Sequence, residues 1–356
     1  MNSKSKFIPT PQNKMTQPQN KPASQKPVTS TLLDKMEDGR EFESLLKYQY
    51  QNLNFLSELR KSIAEIKAIR GREIVCYVAN VVKPSAAISI DDSDDLPFNE
   101  MISSLPADCK ELDIVLVTPG GYAHQVAKFV NKLRPRFEKI SFILLNKTMS
   151  AGTIFIMAGD EIIMSNQSQI GPVDPQVRTK SGEFVPAQSI LTLIEDIRVR
   201  GDEAIKKGGK PSWTDLQILN GIDPKEIGNA LNASNYSIQL VEEYLHNYKF
   251  KDWTIHSDGT KPVTPEEKKS RANEIATLLC DHSKWKNHGH AITREAAWEV
   301  CKLKITHSES IVGLNKAMRR MWALFYWVFE NTPITKAFIS ENYCIMRAAN
   351  QNNDKK

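Results

Sequence analysis

Between Leu112 and Gln176 two apolar runs each end on residues too small to serve a core, and that pairing restricts the fold more than any other feature of the chain. The first run, Leu112–Val117, leads into Thr118-Pro119-Gly120-Gly121. The second, Ile140–Leu145, leads to Ser150, then to Ala151-Gly152 and the apolar segment Ile154–Ala158. Short apolar runs bounded by turn residues read as strands buried on both faces. Helical segments at Tyr122–Leu133 and Ser150–Ala158 alternate with them, which predicts a mostly parallel sheet with crossover helices. Two parallel strands then end at one sheet edge. One presents a diglycine turn whose N–H groups can face a ligand, the other a serine at a helix start. A hydroxyl beside unpaired backbone donors is what acyl transfer requires.

Pattern alone leaves a plainer alternative for each residue. Serine is among the commonest helix N-caps, so position by itself favours capping for Ser150. Gly120 and Gly121 suit any strand-to-helix turn. Asp174, bracketed by Pro172 and Pro175, either ties down backbone N–H groups or is a rigidly mounted orienting carboxylate. His288 either caps the helix that begins near Thr293 or acts as a base, a task that suits imidazole near neutrality. His282 and His290 show no spacing suggestive of a metal site, and no metal or cofactor is expected.

Four strings in order tip the balance for Ser150: Thr118–Gly121, Met149–Thr153, Ala158–Ile162 and Gly171–Gln176. Together they resemble the serine dehydrogenase proteinase family, within the Clp-protease/crotonase superfold that also holds signal peptide peptidase A. Pro186–Leu191 and Asn287–Thr293 extend the match, so that it spans Arg72–Leu303. The resemblance implies a Clp/crotonase-like α/β spiral core with a mostly parallel sheet and a helical C-terminal part. It also implies that Ser150 is the nucleophile, with the helix dipole behind it, and that the N–H groups of Gly120, Gly121 and Ala151 form an oxyanion hole. Clp-type proteases take their base from a histidine shortly after the serine. Here Asp174 occupies that stretch and no histidine lies between His124 and His246, so the Clp triad does not carry over. His288 is the expected base, with Asp174 to orient it. Lys206, Lys207 and Lys210 are the alternatives, at a distance where signal peptide peptidases use a lysine. Such an amine must be desolvated to lose its proton.

The rest of the chain frames this core. Residues 1–33 are too polar to offset the entropy of ordering and read as a disordered tail. Residues 34–71 form an amphipathic helix, with Phe42, Leu45, Leu56, Leu59, Ile63 and Ile66 at helical spacing and Gly71 at its end. The catalytic core occupies 72–250, and 251–349 is a helical part of the same domain. The acidic run from Asp91 to Asp95 reads as a solvated loop, since it lacks the form of a calcium loop. A net charge of +5, from lysines spread along the chain, points away from a nucleic-acid partner. Five unpaired cysteines fit a reducing compartment, hence a cytoplasmic location. No signal peptide is evident, and the apolar run Met321–Phe329 is too short to span a bilayer, so any membrane contact is peripheral. The expected protein is a serine peptidase acting on peptides or proteins, and members of the superfold imply a homo-oligomer. Two alternatives stand: a crotonase-type enzyme acting on acyl-CoA, which needs the oxyanion donors but no serine, and an inactive scaffold.

Overall fold

The central strands form because both of their faces are covered. A computed structural model describes residues 32–48, 54–83, 86–256, 259 and 261–349. In it β1 (Glu73–Ala79), β2 (Glu111–Thr118), β3 (Lys139–Thr148) and β4 (Glu161–Met164) run parallel, in register from Val75 through Ile114 and Phe142 to Ile162. Side chains alternate strictly between two cores. Val75, Tyr77, Ile114, Leu116, Phe142 and Leu144 face one, and Cys76, Val78, Val115, Val117, Ile143 and Leu145 face the other. β-branched and aromatic side chains suit such a two-sided pleat. Short β5 (Gln169–Ile170) adds to the end of β3, while β6 (Gln176–Arg178) and β7 (Phe184–Pro186) make a separate ribbon. β8 (Thr306–His307) lies outside β4, and β9 (Ile334–Ile339) and β10 (Cys344–Ala348) extend the other edge, antiparallel to β1 and to each other. The part after residue 250 is therefore helical but closes on a strand pair.

The helix expected over 34–71 divides. The chain forms α1 (Leu32–Lys35), α2 (Glu41–Lys47) and α3 (Phe55–Arg70), interrupted at Gly39, whose φ is 80°. Gly71, at φ 67°, ends α3 as its sequence position predicts. The tail reading at 1–33 falls mainly outside the described residues, but Leu32 and Leu33 are buried in α1. α4 (Asp95–Ser103), α5 (Ala123–Leu133) and α6 (Ala151–Met157) follow, then α7 (Ala187–Lys206), α8 (Trp213–Gly221) and α9 (Pro224–Tyr244), which runs on into a π-helical turn. α10 (Pro265–Cys280), α11 (His282–Trp285), α12 (Arg294–Glu299) and α13 (Leu314–Asn331) complete the chain. Helices α4, α5, α6, α9 and α10 cover one face of the sheet, and α1–α3 with α13 cover the other.

The acidic run is not wholly solvated. Asp94 is fully buried, where Lys336 Nζ holds both its oxygens at 2.8 and 2.9 Å and Tyr77 donates to it at 2.7 Å. A buried carboxylate needs such partners, and a reading of the local run alone does not see a lysine so distant in the chain. Among the described residues no helix is long and apolar enough to cross a membrane.

Candidate active site

The pairing of β2 with β3 slips between Leu116 and Thr118, so that Thr118 pairs with Thr148. The two strands thus end side by side, and the turn 119–121 meets residues 149–151. Ser150 takes φ 51° and ψ −119°, a combination that favours glycine in tight turns, and its side chain makes no capping bond to α6. Holding a serine there costs about 1–3 kcal/mol. Every residue of α6 is buried behind it, while Ser150 itself is half-buried.

Glycine is required on the facing turn. A Cβ on Gly120 would lie 2.6 Å from Ser150 Cβ, and one on Gly121 would lie 2.2 Å from the Ile90 carbonyl. The three candidate donors differ. The Gly120 N–H already donates to Thr118 Oγ1 at 3.1 Å. The N–H groups of Gly121 and Ala151 donate to no protein group among the described residues.

Asp174 is tied to this edge from several sides. The Gly171 N–H donates to the Thr148 carbonyl at 3.2 Å, and Thr153 Oγ1 donates to the Gly171 carbonyl at 2.8 Å. Three residues on, the Asp174 side chain is 1% exposed, with His282 Nδ1 at 2.8 Å and His288 Nδ1 at 3.7 Å from Oδ2. Gln176 Nε2 lies 3.4 Å from the same nitrogen of His288. Burial pushes the Asp174 carboxyl up, but His288 and His282 outweigh it and hold the group below its ordinary value. A reciprocal backbone pair between Ile170 and Ile292, at 3.0 and 2.9 Å, fastens the histidine loop to β5. Asp174 and His288 are therefore in contact, at one edge with Ser150. No hydrogen bond joins Ser150 to either imidazole among the described residues.

The lysines fit a base poorly. Lys206, Lys207 and Lys210 are exposed, with the Lys207 side chain 79% open to solvent. Lys249 is desolvated, and burial pulls its amine down to about 8. It lies against the Asp160 carbonyl, at the opposite end of the strands from Ser150. Among the described residues no three His, Cys, Asp or Glu side chains converge to hold a metal ion.

The model of the ClpP-like SDH-type serine proteinases matches residues 40–205, which contain the serine turn, the diglycine turn and Asp174. A relative from Methanocaldococcus jannaschii, the uncharacterized protein MJ1495, is 36% identical over 230 residues, covering 61% of this chain and 71% of its own length. This chain belongs to the ClpP-like SDH-type serine proteinase family. A second protein of that archaeon, the uncharacterized protein MJ0137, is 28% identical over 195 residues, and the match covers 53% of this chain and 61% of the relative's length. Among solved structures, a ClpP1 mutant from Listeria monocytogenes overlays with a TM-score of 0.25 at 14% identity, over 47% of this chain and 92% of that one. That overlay is too slight to bear on the site. In this SDH-type chain the residue missed in sequence is His282. Its only local signal is its place directly after Asp281 at the end of α10, whereas its partner Asp174 stands 108 residues away.

Proposed function

We propose that the protein is a serine peptidase in which Ser150 is the nucleophile, the N–H groups of Gly121 and Ala151 hold the oxyanion, and an imidazole oriented by Asp174 is the base. The observation that carries the reading is a serine held at φ 51° beside two backbone N–H groups without acceptors among the described residues. A helix cap would need neither feature. Gly120 contributes space, since its own N–H is committed to Thr118.

In this mechanism the base takes the Ser150 proton as Oγ bonds to the peptide carbonyl carbon. The carbonyl oxygen becomes an oxyanion between the Gly121 and Ala151 N–H groups. The imidazolium then passes its proton to the amide nitrogen, the C–N bond breaks and the amine leaves. Water, deprotonated by the same imidazole, hydrolyses the acyl-enzyme and restores Ser150.

His288 is the base that the sequence singles out. A second reading has an observation of its own: His282 Nδ1 is the nearer to Asp174, at a true hydrogen-bond distance of 2.8 Å. A carboxylate on Nδ1 fixes the tautomer that leaves Nε2 free to accept a proton. The shorter contact favours His282. A homo-oligomer belongs to the proposal as well, supported by α8, which buries no residue and exposes Trp213, Leu216 and Ile218.

The test is intact mass after incubation with a fluorophosphonate. Wild type should gain one adduct, located on Ser150, and Ser150→Ala should gain none. Absence of any adduct on a folded wild type would favour the scaffold or acyl-CoA readings.

A further inference from the structure

The diglycine turn is held, one loop removed, by a buried residue far along the chain. Lys336 stands on β9, opposite Ala79 of β1, with its side chain 1% exposed. A buried amine is costly unless its donors are matched, and here they are. Its Nζ lies 2.5 Å from the Ser89 carbonyl, 2.8 and 2.9 Å from the Asp94 oxygens and 3.3 Å from Asp91 Oδ2. These contacts grip the 89–94 loop on both sides of Ile90.

Ile90 in turn holds the diglycine turn. Its N–H donates to the Gly120 carbonyl at 2.7 Å, and its carbonyl accepts from the Tyr122 N–H at 2.9 Å. The two bonds make a parallel bridge between Ile90 and Gly121. In such a bridge the residue spanned uses neither of its own backbone groups, and its N–H points away from the partner strand. The bridge therefore turns the Gly121 N–H away from Ile90, next to Gly120, whose Cβ position stands against Ser150. The fit has no slack, because a Cβ on Gly121 would fall 2.2 Å from the Ile90 carbonyl and 2.5 Å from its nitrogen. Any shift of the loop must move the donor.

We propose that Lys336 is a positioning residue for catalysis, fastening Ser89 and Asp94 so that Ile90 aims the Gly121 N–H at the oxyanion. The inference rests on the serine peptidase reading above. It assigns a task in turnover to a buried ion pair whose plainer role would be to neutralise Asp94.

The experiment removes both fully buried charges together, leaving only the partly exposed Asp91 and Arg347 beside the site: Lys336→Met with Asp94→Asn, studied in the full chain. Thermal melting and assembly size establish that the variant is folded. Loss of a whole oxyanion donor costs roughly 100- to 1,000-fold. A misaimed donor should lower kcat by roughly 10- to 100-fold with KM held within about twofold. Affinity for a peptidyl trifluoromethyl ketone, whose hemiketal oxyanion occupies the same place, should fall by the same factor as kcat. A folded variant with wild-type kcat, or with KM alone raised, overturns the proposal. If the pair variant does not fold, Tyr77→Phe takes its place, since it removes a single hydroxyl from Asp94. It should lower kcat several-fold at constant KM, and an unchanged kcat would equally overturn the proposal. Ser150→Ala runs in parallel. If that variant still turns over peptide, the underlying reading falls and takes the proposal with it. If it is inactive while the Lys336 variants are unaffected, only the role of Lys336 is lost.

Discussion

The two ends of the same four parallel strands carry opposite chemistry. At their N-terminal end two arginines and the strand carboxylates form an ion-pair network. Arg70 Nε meets Asp113 at 2.5 Å and its Nη2 meets Glu161 at 2.7 Å, while Arg72 reaches Ser141 at 3.0 Å and Glu111 at 2.7 Å. Asp113 is fully buried within that network. At the C-terminal end the Gly121 and Ala151 N–H groups have no acceptor among the described residues, and Ser150 sits in a glycine-like conformation. Open donors and local strain are tolerated where a ligand will complete them. The satisfied end secures the sheet, and the unsatisfied end is the one the proposed chemistry would use.

Five variants would break or sharpen that contrast. Ser150→Ala should abolish fluorophosphonate labelling and lower peptidase kcat by roughly 1,000-fold or more, with thermal stability within about 1 kcal/mol of wild type. Turnover by the alanine variant would remove the nucleophile from this edge. Next in size is the base. His282→Ala should slow acylation by roughly 100-fold or more, and His288→Ala should cost less. Stopped-flow labelling rates decide the order, and a larger loss in His288→Ala would reverse the assignment.

At the satisfied end the effect should move from rate to stability. Arg70→Met should cost about 2 kcal/mol, less than a wholly unpaired buried charge, because Arg72 still faces Asp113. Its kcat per folded enzyme should stay at the wild-type value, and a large drop in kcat would show that the two ends are not separable. The smallest effect concerns Lys249, whose amine burial lowers from the usual 10.5 to about 8. Between those values the unfolded chain binds the proton and the folded chain does not, so stability rises with pH across that window. Below about 8 the folded chain must carry a buried charge, and the gain is absent. Chemical denaturation of Lys249→Met against wild type should therefore show a difference that shrinks from pH 8 to pH 10. A constant difference would mean that the amine is solvated.

Legibility in the sequence followed range. The strands around Val115 and Ile143 and the turns at Gly121 and Ser150 are local patterns, where a run of residues and its terminating small residues carry the information. The contact between Asp174 and His288 was within reach because both lie in recognisable strings. His282 was not, because a histidine after a helix acquires meaning only from the carboxylate folded against it. Lys336 and Asp94, 242 residues apart, show the same limit: each looks like a solvated charge until β9 brings them together. The break at Gly39 was hidden for another reason, since a continuous apolar stripe outweighs one glycine in any periodicity argument. The backbone angles of Ser150 have no signature in composition or spacing at all.

Those angles also bear on mutational drift. A scaffold relieved of chemistry would gain stability from glycine at position 150, by a single-residue change that also removes the strain. Serine at that position is the less comfortable occupant. Ser150→Gly should accordingly melt higher than both wild type and Ser150→Ala. A chain drifting without function would have an open downhill path away from the hydroxyl.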